Sequence, residues 1–162
     1  FEFIRGNDEV AWIAEASLGT YQALFEKLLL IMALHGMPSE IIAATPEGVI
    51  VAKQPYGARL PEDTDTSSLQ PPALIPIPAR FLRAHRDHPR LFFHHAAPWL
   101  VADLHSKNLV RAIDGTLRAI DLLAAPIPQH LIRSDPLLAD WLERVKLDPH
   151  AGILCAVDDA EL

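Results

Sequence analysis

The first third of the chain alternates between apolar and polar positions in a way that predicts two strand pairs. Phe1–Arg5 and Val10–Ala14 have the alternation of short strands, and the Gly-Asn-Asp sequence between them is a turn signal. Glu40–Ala44 and Val49–Lys53 are also predicted strands, and they flank a Thr-Pro-Glu-Gly turn. The front of the chain is therefore expected to contain antiparallel sheet.

Between these pairs, Leu18–His35 is the clearest predicted helix. Its apolar residues recur at intervals of three and four positions, which gives the helix an apolar face. The residues of that face are Tyr21, Leu24, Phe25, Leu28, Leu29 and Met32. Gly36 and Pro38 follow, as is typical of a helix end. Glu26 and Lys27 are interpreted as solvated surface residues of this helix.

Further along, the patterns predict a proline-rich loop, a short helix, two strands and a C-terminal helix. The loop is Pro61–Pro78, the short helix Ala79–His88, and the strands are Leu91–His94 and Trp99–Ala102. Asp135 is the expected N-cap of the last helix, with Pro136 at its first position. The apolar stripe of that helix is Leu137, Leu138, Trp141, Leu142 and Val145.

A hairpin is predicted after the second of these strands, because an Asp-Gly turn at position 114 lies between two apolar runs. The hairpin would bring Asp121 beside the loop that carries Asp103 and Asn108. These residue types suit magnesium-dependent phosphoryl transfer, with Asp103 as base and Asn108 and Asp121 as metal ligands. An N-capping Asp, a turn Asn and a surface Asp are the alternative interpretation.

The composition limits the possible functions. The chain has 162 residues, which suggests one domain, and half of them are hydrophobic, which is enough for a sizeable core. A net charge of -7 argues against a nucleic-acid partner. Cys155 is the single cysteine, so a disulfide framework and a cysteine-rich zinc site are excluded. The apolar run Leu28–Leu34 is too short to cross a membrane, and a cytoplasmic protein is expected.

The sequence from Asp103 to Val110, DLHSKNLV, resembles the D-x-H-x-x-N loop of aminoglycoside-phosphotransferase and choline-kinase-like enzymes, which are relatives of the protein kinases. The longer segment Ala102–Pro126 is similar to the kinase-like domain of phage-associated polyvalent proteins. In that family the loop is followed by a DGTL turn and an I-D-L end, both of which are present here. The resemblance extends over roughly residues 6–128.

The resemblance implies an α+β, protein-kinase-like fold. Residues 1–60 would form a reduced N-terminal lobe and hinge, with a small antiparallel sheet and one helix, and 61–78 a proline-rich connector. Residues 79–162 would form a small C-terminal lobe with the catalytic loop and the hairpin. The resemblance implies Mg²⁺ and ATP as cofactors, the hinge backbone at Gln54–Leu60 holding the adenine, and Glu26 as a helix glutamate that braces a strand lysine. It assigns Asp103 as the base, Asn108 and Asp121 as metal ligands, and Gln54, Tyr56 and His105 as cofactor-binding residues.

The sequence also departs from that family. Val101 and Ala102 replace the usual residues before the catalytic Asp, no Phe-Gly follows Asp121, no glycine-rich loop is present, and no lysine precedes Lys27. Two further hypotheses therefore remain, a pseudokinase-like nucleotide-binding or regulatory module without turnover and a histidine-based metal site. The second would use His94, His95, Asp103 and His105, with His85 and His88 in addition. Under the phosphotransferase hypothesis, the phosphate acceptor would be a hydroxyl group on an unidentified protein or small molecule. Because the sequence does not begin with Met, it is expected to be part of a larger chain.

Overall fold

The computed structural model describes residues 2–5, 12–15, 19–62, 64, 74–84 and 89–152, and this part of the chain is an α+β fold with mostly antiparallel sheets. Its helices are α1 (Tyr21–Ala33), α2 (Gln129–Ser134) and α3 (Pro136–Leu147). Its strands are β1 (Glu2–Arg5), β2 (Trp12–Glu15), β3 (Glu40–Ala44), β4 (Ile50–Lys53), β5 (Gly57–Arg59), β6 (Ile75–Pro76), β7 (Leu82–Ala84), β8 (Arg90–His94), β9 (Ala97–Ala102), β10 (Leu109–Ala112), β11 (Leu117–Ala119) and β12 (Leu123–Pro126). None of the helices in these residues has the length and apolar character needed to cross a membrane.

Two sheets form the centre of the described structure. One has the strand order β12-β9-β8-β6 and the other has the order β11-β10-β5, and every pairing in both is antiparallel. The strand pairs β1–β2 and β3–β4 are also antiparallel, as predicted, and β3–β4 carries a register shift between Ile41 and Ala43. Strand β2 pairs in parallel with β7.

Strand β9 is buried on both faces and joins the two parts of the hydrophobic core. Leu100 packs with Leu91 and, on α3, Trp141. Trp99 and Val101 face the opposite way and pack in the cluster formed by α1 and the β10–β11 hairpin. Because side chains alternate between the faces of a strand, one six-residue strand contributes to both clusters. The two clusters therefore fix the position at which the chain leaves β9, directly before Asp103.

Helix α1 buries a different face from the predicted apolar one. Leu30 and Ile31 are buried, together with Leu34 at the helix end. Four residues of the predicted face, Tyr21, Phe25, Leu29 and Met32, are instead exposed. Ten of the thirteen residues of this helix are apolar, so periodicity alone does not determine which stripe packs on the core. Thr20 caps the first turn, because its hydroxyl accepts a hydrogen bond from the backbone N–H of Ala23.

The end of α1 is tied to the β10–β11 hairpin. The N–H of Gly36 donates to the carbonyl of Ile31 and that of His35 to Met32, the pattern of a Schellman motif, and His35 has a left-handed φ of 55°. The next N–H, of Met37, donates to the carbonyl of Ala119 in β11 at 2.7 Å. A Cβ on Gly36 would lie 2.4 Å from Cγ2 of Ile31 and 3.0 Å from the Ala119 carbonyl, so glycine is needed at that close approach.

The C-terminal helix begins as predicted. The Asp135 side chain accepts hydrogen bonds from the backbone N–H groups of Leu137 and Leu138, with Pro136 in the first turn. The stripe packs on the core except for Leu137, which is 68% exposed. Helix α2, directly before α3, is an element that the sequence analysis did not predict.

The predicted helix at Ala79–His88 is wrong for residues 82–84, which form strand β7. A turn at Pro78–Phe81 precedes the strand, since the N–H of Phe81 donates to the carbonyl of Pro78. Phe81 and Leu82 are both buried in the cluster with Trp141, and the backbone of Leu82 pairs with Trp12 of β2. Tertiary packing and strand pairing therefore override a weak local helix signal. Residues 85–88 lie outside the described residues.

His35→Gly is expected to raise the free energy of unfolding by about 1 kcal/mol, because glycine adopts the left-handed conformation without the Cβ clash of an L-residue. Urea denaturation followed by circular dichroism measures this change. His35→Ala is the matched control, since it removes the imidazole but keeps the Cβ. Equal stability of the glycine and alanine variants would contradict the assignment of strain to this position.

Candidate active site

Two short links between the two central sheets carry the predicted site residues. Residues 103–108 connect β9 to β10, and residues 120–122 connect β11 back to β12. Ala102 of β9 pairs with Leu123 of β12, and Leu109 of β10 pairs with Ala119 of β11. The links must therefore run side by side, and the N–H of Ile120 donates to the carbonyl of Asn108 at 3.0 Å. The predicted hairpin is confirmed, and it returns the chain to the loop.

Asp103 occupies a strained backbone position at the start of the first link. Its φ of 68° is in the left-handed region, which Asp tolerates better than most residues. The Nδ2 of Asn108 donates to the Asp103 carboxylate at 2.8 Å and to the Asp103 backbone carbonyl at 2.9 Å. The spacing of five residues thus closes a loop in which Asn108 holds Asp103 at two points. Strained backbone held by surrounding contacts is frequent at functional sites.

Both ring nitrogens of His105 are engaged inside the same loop. Its Nδ1 accepts from the backbone N–H of Lys107 at 3.2 Å, and its Nε2 lies 3.0 Å from Oδ1 of Asp103. An accepting Nδ1 leaves the ring proton on Nε2, so the imidazole donates to the carboxylate. His105 therefore orients Asp103, and a direct phosphate contact would require one of these hydrogen bonds to break.

The oxygen atoms of Asn108 and Asp121 suit a hard divalent cation. The Asn108 amide turns its nitrogen to Asp103, and its oxygen accepts no hydrogen bond within the described residues. Asp121 is exposed, and only its Oδ1 takes part in the ion pair with Lys27. Magnesium is commonly bound by one or two protein oxygens plus water and phosphate. Asn108 and Asp121 are therefore the residues of the two links that could hold such a cation.

Lys27 of α1 reaches this site, although the sequence analysis assigned it to the solvated surface. Its Nζ lies 2.9 Å from Oδ1 of Asp121, 94 residues away in the sequence. The Lys27 side chain is 25% exposed, whereas that of Asp121 is 70% exposed. The neighbouring Glu26 accepts a hydrogen bond from Gln22 on its own helix. No local sequence signal identifies Lys27, because its partner is brought to it only by the packing of α1.

The predicted adenine-binding segment leads into strand β5. The side-chain amide of Gln54 donates to Oγ of Ser39 at 2.6 Å, and Tyr56 is 79% exposed. The Gly57–Arg59 strand pairs with β10, the first strand of the hairpin, and is at the edge of its sheet in the described part of the chain. Gly57 is needed there, since a Cβ would lie 2.5 Å from Cγ2 of Val110. The segment is thus fixed to the hairpin that carries the second link.

The predicted histidine cluster is not assembled among the described residues, which contain no group of three or more His, Cys, Asp or Glu side chains that could hold a metal. Two adjacent residues within a strand would point to opposite faces of the sheet. The ring centroids of His94 and His95 are instead 4.2 Å apart, because the turn after β8 gives His95 a φ of 48°. Burial and the adjacent His95 lower the pKa of His94. This pair lies at the opposite end of β9 from Asp103, and His85 and His88 are outside the described residues.

Comparison of the chain with known protein families, curated proteins and solved structures gives no match.

The turn of the hairpin is stabilised by Asp114. Its carboxylate accepts from the hydroxyl and the backbone N–H of Thr116, at 2.6 and 2.9 Å, and from Arg118 at 3.1 Å. These hydrogen bonds, those from Thr116 first, lower the pKa of Asp114 from 3.8 to about 2. A lowered carboxyl pKa stabilises the fold at pH values above the unfolded pKa. That stabilisation is lost as the pH falls through the folded pKa.

We therefore expect the Asp114 carboxyl to titrate with a midpoint near pH 2 in the folded protein. Carboxyl ¹³C shifts followed by NMR across pH 1.5–5 measure it. Thr116→Ala is expected to move the midpoint back toward the ordinary value, because it removes the hydroxyl hydrogen bond, which is the largest cause of the lowered pKa. Thr116→Ser keeps the hydroxyl and serves as the control. An unchanged midpoint in the alanine variant would disprove the hydrogen-bond origin of the low pKa.

Proposed function

We propose that this chain is a divergent kinase-like phosphotransferase that uses Mg-ATP to phosphorylate a hydroxyl group on a protein or small molecule. The observation that carries the proposal is the assembly of Asp103, Asn108 and Asp121 on two links that the strand pairings force side by side. Phosphoryl transfer depends on positioning and on neutralising phosphate charge more than on covalent chemistry by the protein. The two links supply a positioned carboxylate and two metal-ligand oxygens.

The order of elements also supports a kinase-like arrangement. A helix, α1, is followed by the β3–β4 pair, by the hinge-like segment Gln54–Leu60 and then by the loop and hairpin. The resemblance in sequence implies the same order. Strand β5 offers a backbone edge and the exposed Tyr56 ring beside the hairpin, where an adenine base would be held.

Each residue of the site has a defined role in this proposal. Asp103, oriented by Asn108 and His105, accepts the proton of the acceptor hydroxyl. The oxygens of Asn108 and Asp121 would hold magnesium, which when bound would neutralise charge on the nucleotide phosphates. The strain at Asp103 is consistent with a carboxylate that is fixed before the substrate binds.

A nucleotide-binding regulatory module without turnover is the second candidate. The ion pair between Lys27 and Asp121 favours it, because a carboxylate that is already neutralised by an ammonium attracts a divalent cation less strongly. The absence of a glycine-rich loop from the sequence favours it as well. Both candidate functions include nucleotide binding, and they differ in whether the phosphoryl group is transferred to an acceptor.

Asp121→Ala is expected to remove the Mg²⁺-dependent part of ATP binding, a loss of about tenfold to a hundredfold in affinity for one charge-assisted contact. Isothermal titration calorimetry with ATP, with and without Mg²⁺, measures it. Asp140→Ala is the matched control, because Asp140 is an exposed carboxylate on α3 that pairs with Arg144. ATP binding that does not depend on Mg²⁺, or that survives in Asp121→Ala, would remove the basis of the proposal.

Asp103→Asn separates the two candidates. If the chain transfers phosphate, this variant should keep Mg-ATP affinity but lower the rate of ADP formation by about 10²–10⁴-fold, the usual contribution of a general base. ADP release with water or the protein itself as acceptor can be followed without knowing the natural substrate. Mg-ATP binding with no ADP formation in the wild-type chain would support the regulatory module instead.

A further inference from the structure

We infer that Lys27, on helix α1, supplies the cation that binds the nucleotide phosphates at this site. This inference rests on the proposed function and extends it to a residue that the sequence pattern did not indicate. Residues 1–26 contain no lysine. Lys27 reaches the second link from the helix itself.

The packing of α1 fixes where the Lys27 side chain lies. Leu30 and Ile31, one helical turn further on, are 0% and 2% exposed. They belong to the same hydrophobic cluster as Leu122, which directly follows Asp121 and is 0% exposed. Each partner of the ion pair is therefore adjacent to a buried anchor in one cluster, and the ammonium and the carboxylate are held together by the core rather than by their own attraction alone.

The exposure of the two side chains leaves room for a ligand on one side of the pair. Lys27 is largely covered, which is typical of a lysine whose aliphatic stem packs on apolar surface while the ammonium remains accessible. Asp121 is mostly exposed, and its Oδ2 makes no hydrogen bond or ion pair within the described residues. A divalent cation on Oδ2 would therefore lie close to the Lys27 ammonium.

Two positive charges near one carboxylate repel each other unless an anion lies between them. A nucleotide phosphate coordinated to the metal is such an anion, and lysine is a common point-charge partner of phosphate. Without nucleotide, Lys27 competes with the metal for Asp121. With nucleotide, the metal, the phosphates and Lys27 stabilise one another. The arrangement predicts that the metal and the nucleotide bind cooperatively and that Lys27 contributes to the coupling.

The test is Lys27→Met, measured by calorimetry with Mn²⁺ alone and with Mg-ATP. Removing the ammonium should tighten Mn²⁺ binding, by about threefold or more, because a repelling charge is lost. It should weaken Mg-ATP binding by about tenfold to a hundredfold, because a charge-assisted phosphate contact is lost. Lys27→Arg keeps the charge and should retain most of the Mg-ATP affinity. Opposite changes for the two ligands are the signature of a phosphate-binding residue.

Two control variants make the result specific. Lys53→Met removes an exposed lysine on β4 whose Nζ lies 3.7 Å from Glu40, and it should change neither affinity. Lys107→Met removes the other lysine near the site, on the loop itself, and a loss of Mg-ATP affinity there rather than in Lys27→Met would overturn the inference. Thermal unfolding of each variant identifies any that do not fold.

The remaining outcomes are also decisive. If Mn²⁺ affinity, Mg-ATP affinity and melting temperature all fall together in Lys27→Met, the ion pair is a structural contact and the inference is wrong. If Lys27→Met binds Mg-ATP like the wild type while Asp121→Ala does not, the inference fails and the proposed function stands. If the wild-type chain shows no Mg²⁺-dependent nucleotide binding, the proposed function fails and the inference fails with it.

Discussion

The side-by-side course of the two links between the central sheets is the constraint on which the candidate site depends. β9 and β12 pair in one sheet, and β10 and β11 pair in the other. Any chain that leaves β9 for β10 and returns from β11 to β12 must cross the gap twice at the same place. Asp103 and Asn108 are on the first crossing, and Asp121 is on the second. Their proximity is a consequence of strand register, and no direct bond between them is needed to produce it.

Burial of both faces of β9 fixes the start of the first crossing. Leu100 packs toward α3, while Trp99 and Val101 pack toward α1. A slip of one residue in β9 would place Trp99 and Leu100 in each other's part of the core, so their different shapes favour the observed register. Asp103 follows this strand directly and adopts a positive φ. The rigid strand and the hydrogen bonds from Asn108 and His105 together maintain a backbone conformation that an isolated loop would not favour.

Charge at the site is arranged by packing in the same way. The chain is acidic as a whole, with a net charge of -7. At the site, the exposed carboxylate of Asp121 pairs with the largely covered Lys27. The core residues beside Lys27 and Asp121 belong to one cluster, which makes the ion pair a point of contact between the helix and the second link. The front helix and the loop-hairpin unit therefore meet at the site as well as in the core. A ligand that bound there would contact both.

Much of this arrangement could be predicted from the sequence, where the signals were local. The Asp-Gly turn predicted the hairpin, and Asp135 with Pro136 predicted the start of α3. Elements whose signals depended on packing were predicted less well. Phe81 and Leu82 belong to a turn and strand rather than a helix, since burial against Trp141 and pairing with β2 outweigh local preference.

The sequence by itself determined turns, caps and the residue types of the site, because these depend on chemistry within a few positions along the chain. Only the tertiary structure decided which stripe of α1 is buried, that His94 and His95 lie together at a turn, and that Lys27 contacts Asp121. Ten of the thirteen residues of α1 are apolar, so their periodicity is compatible with more than one buried face. Lys27 and Asp121 are 94 residues apart in the sequence. The hydrophobic cluster beside them brings Nζ of Lys27 to 2.9 Å from Oδ1 of Asp121.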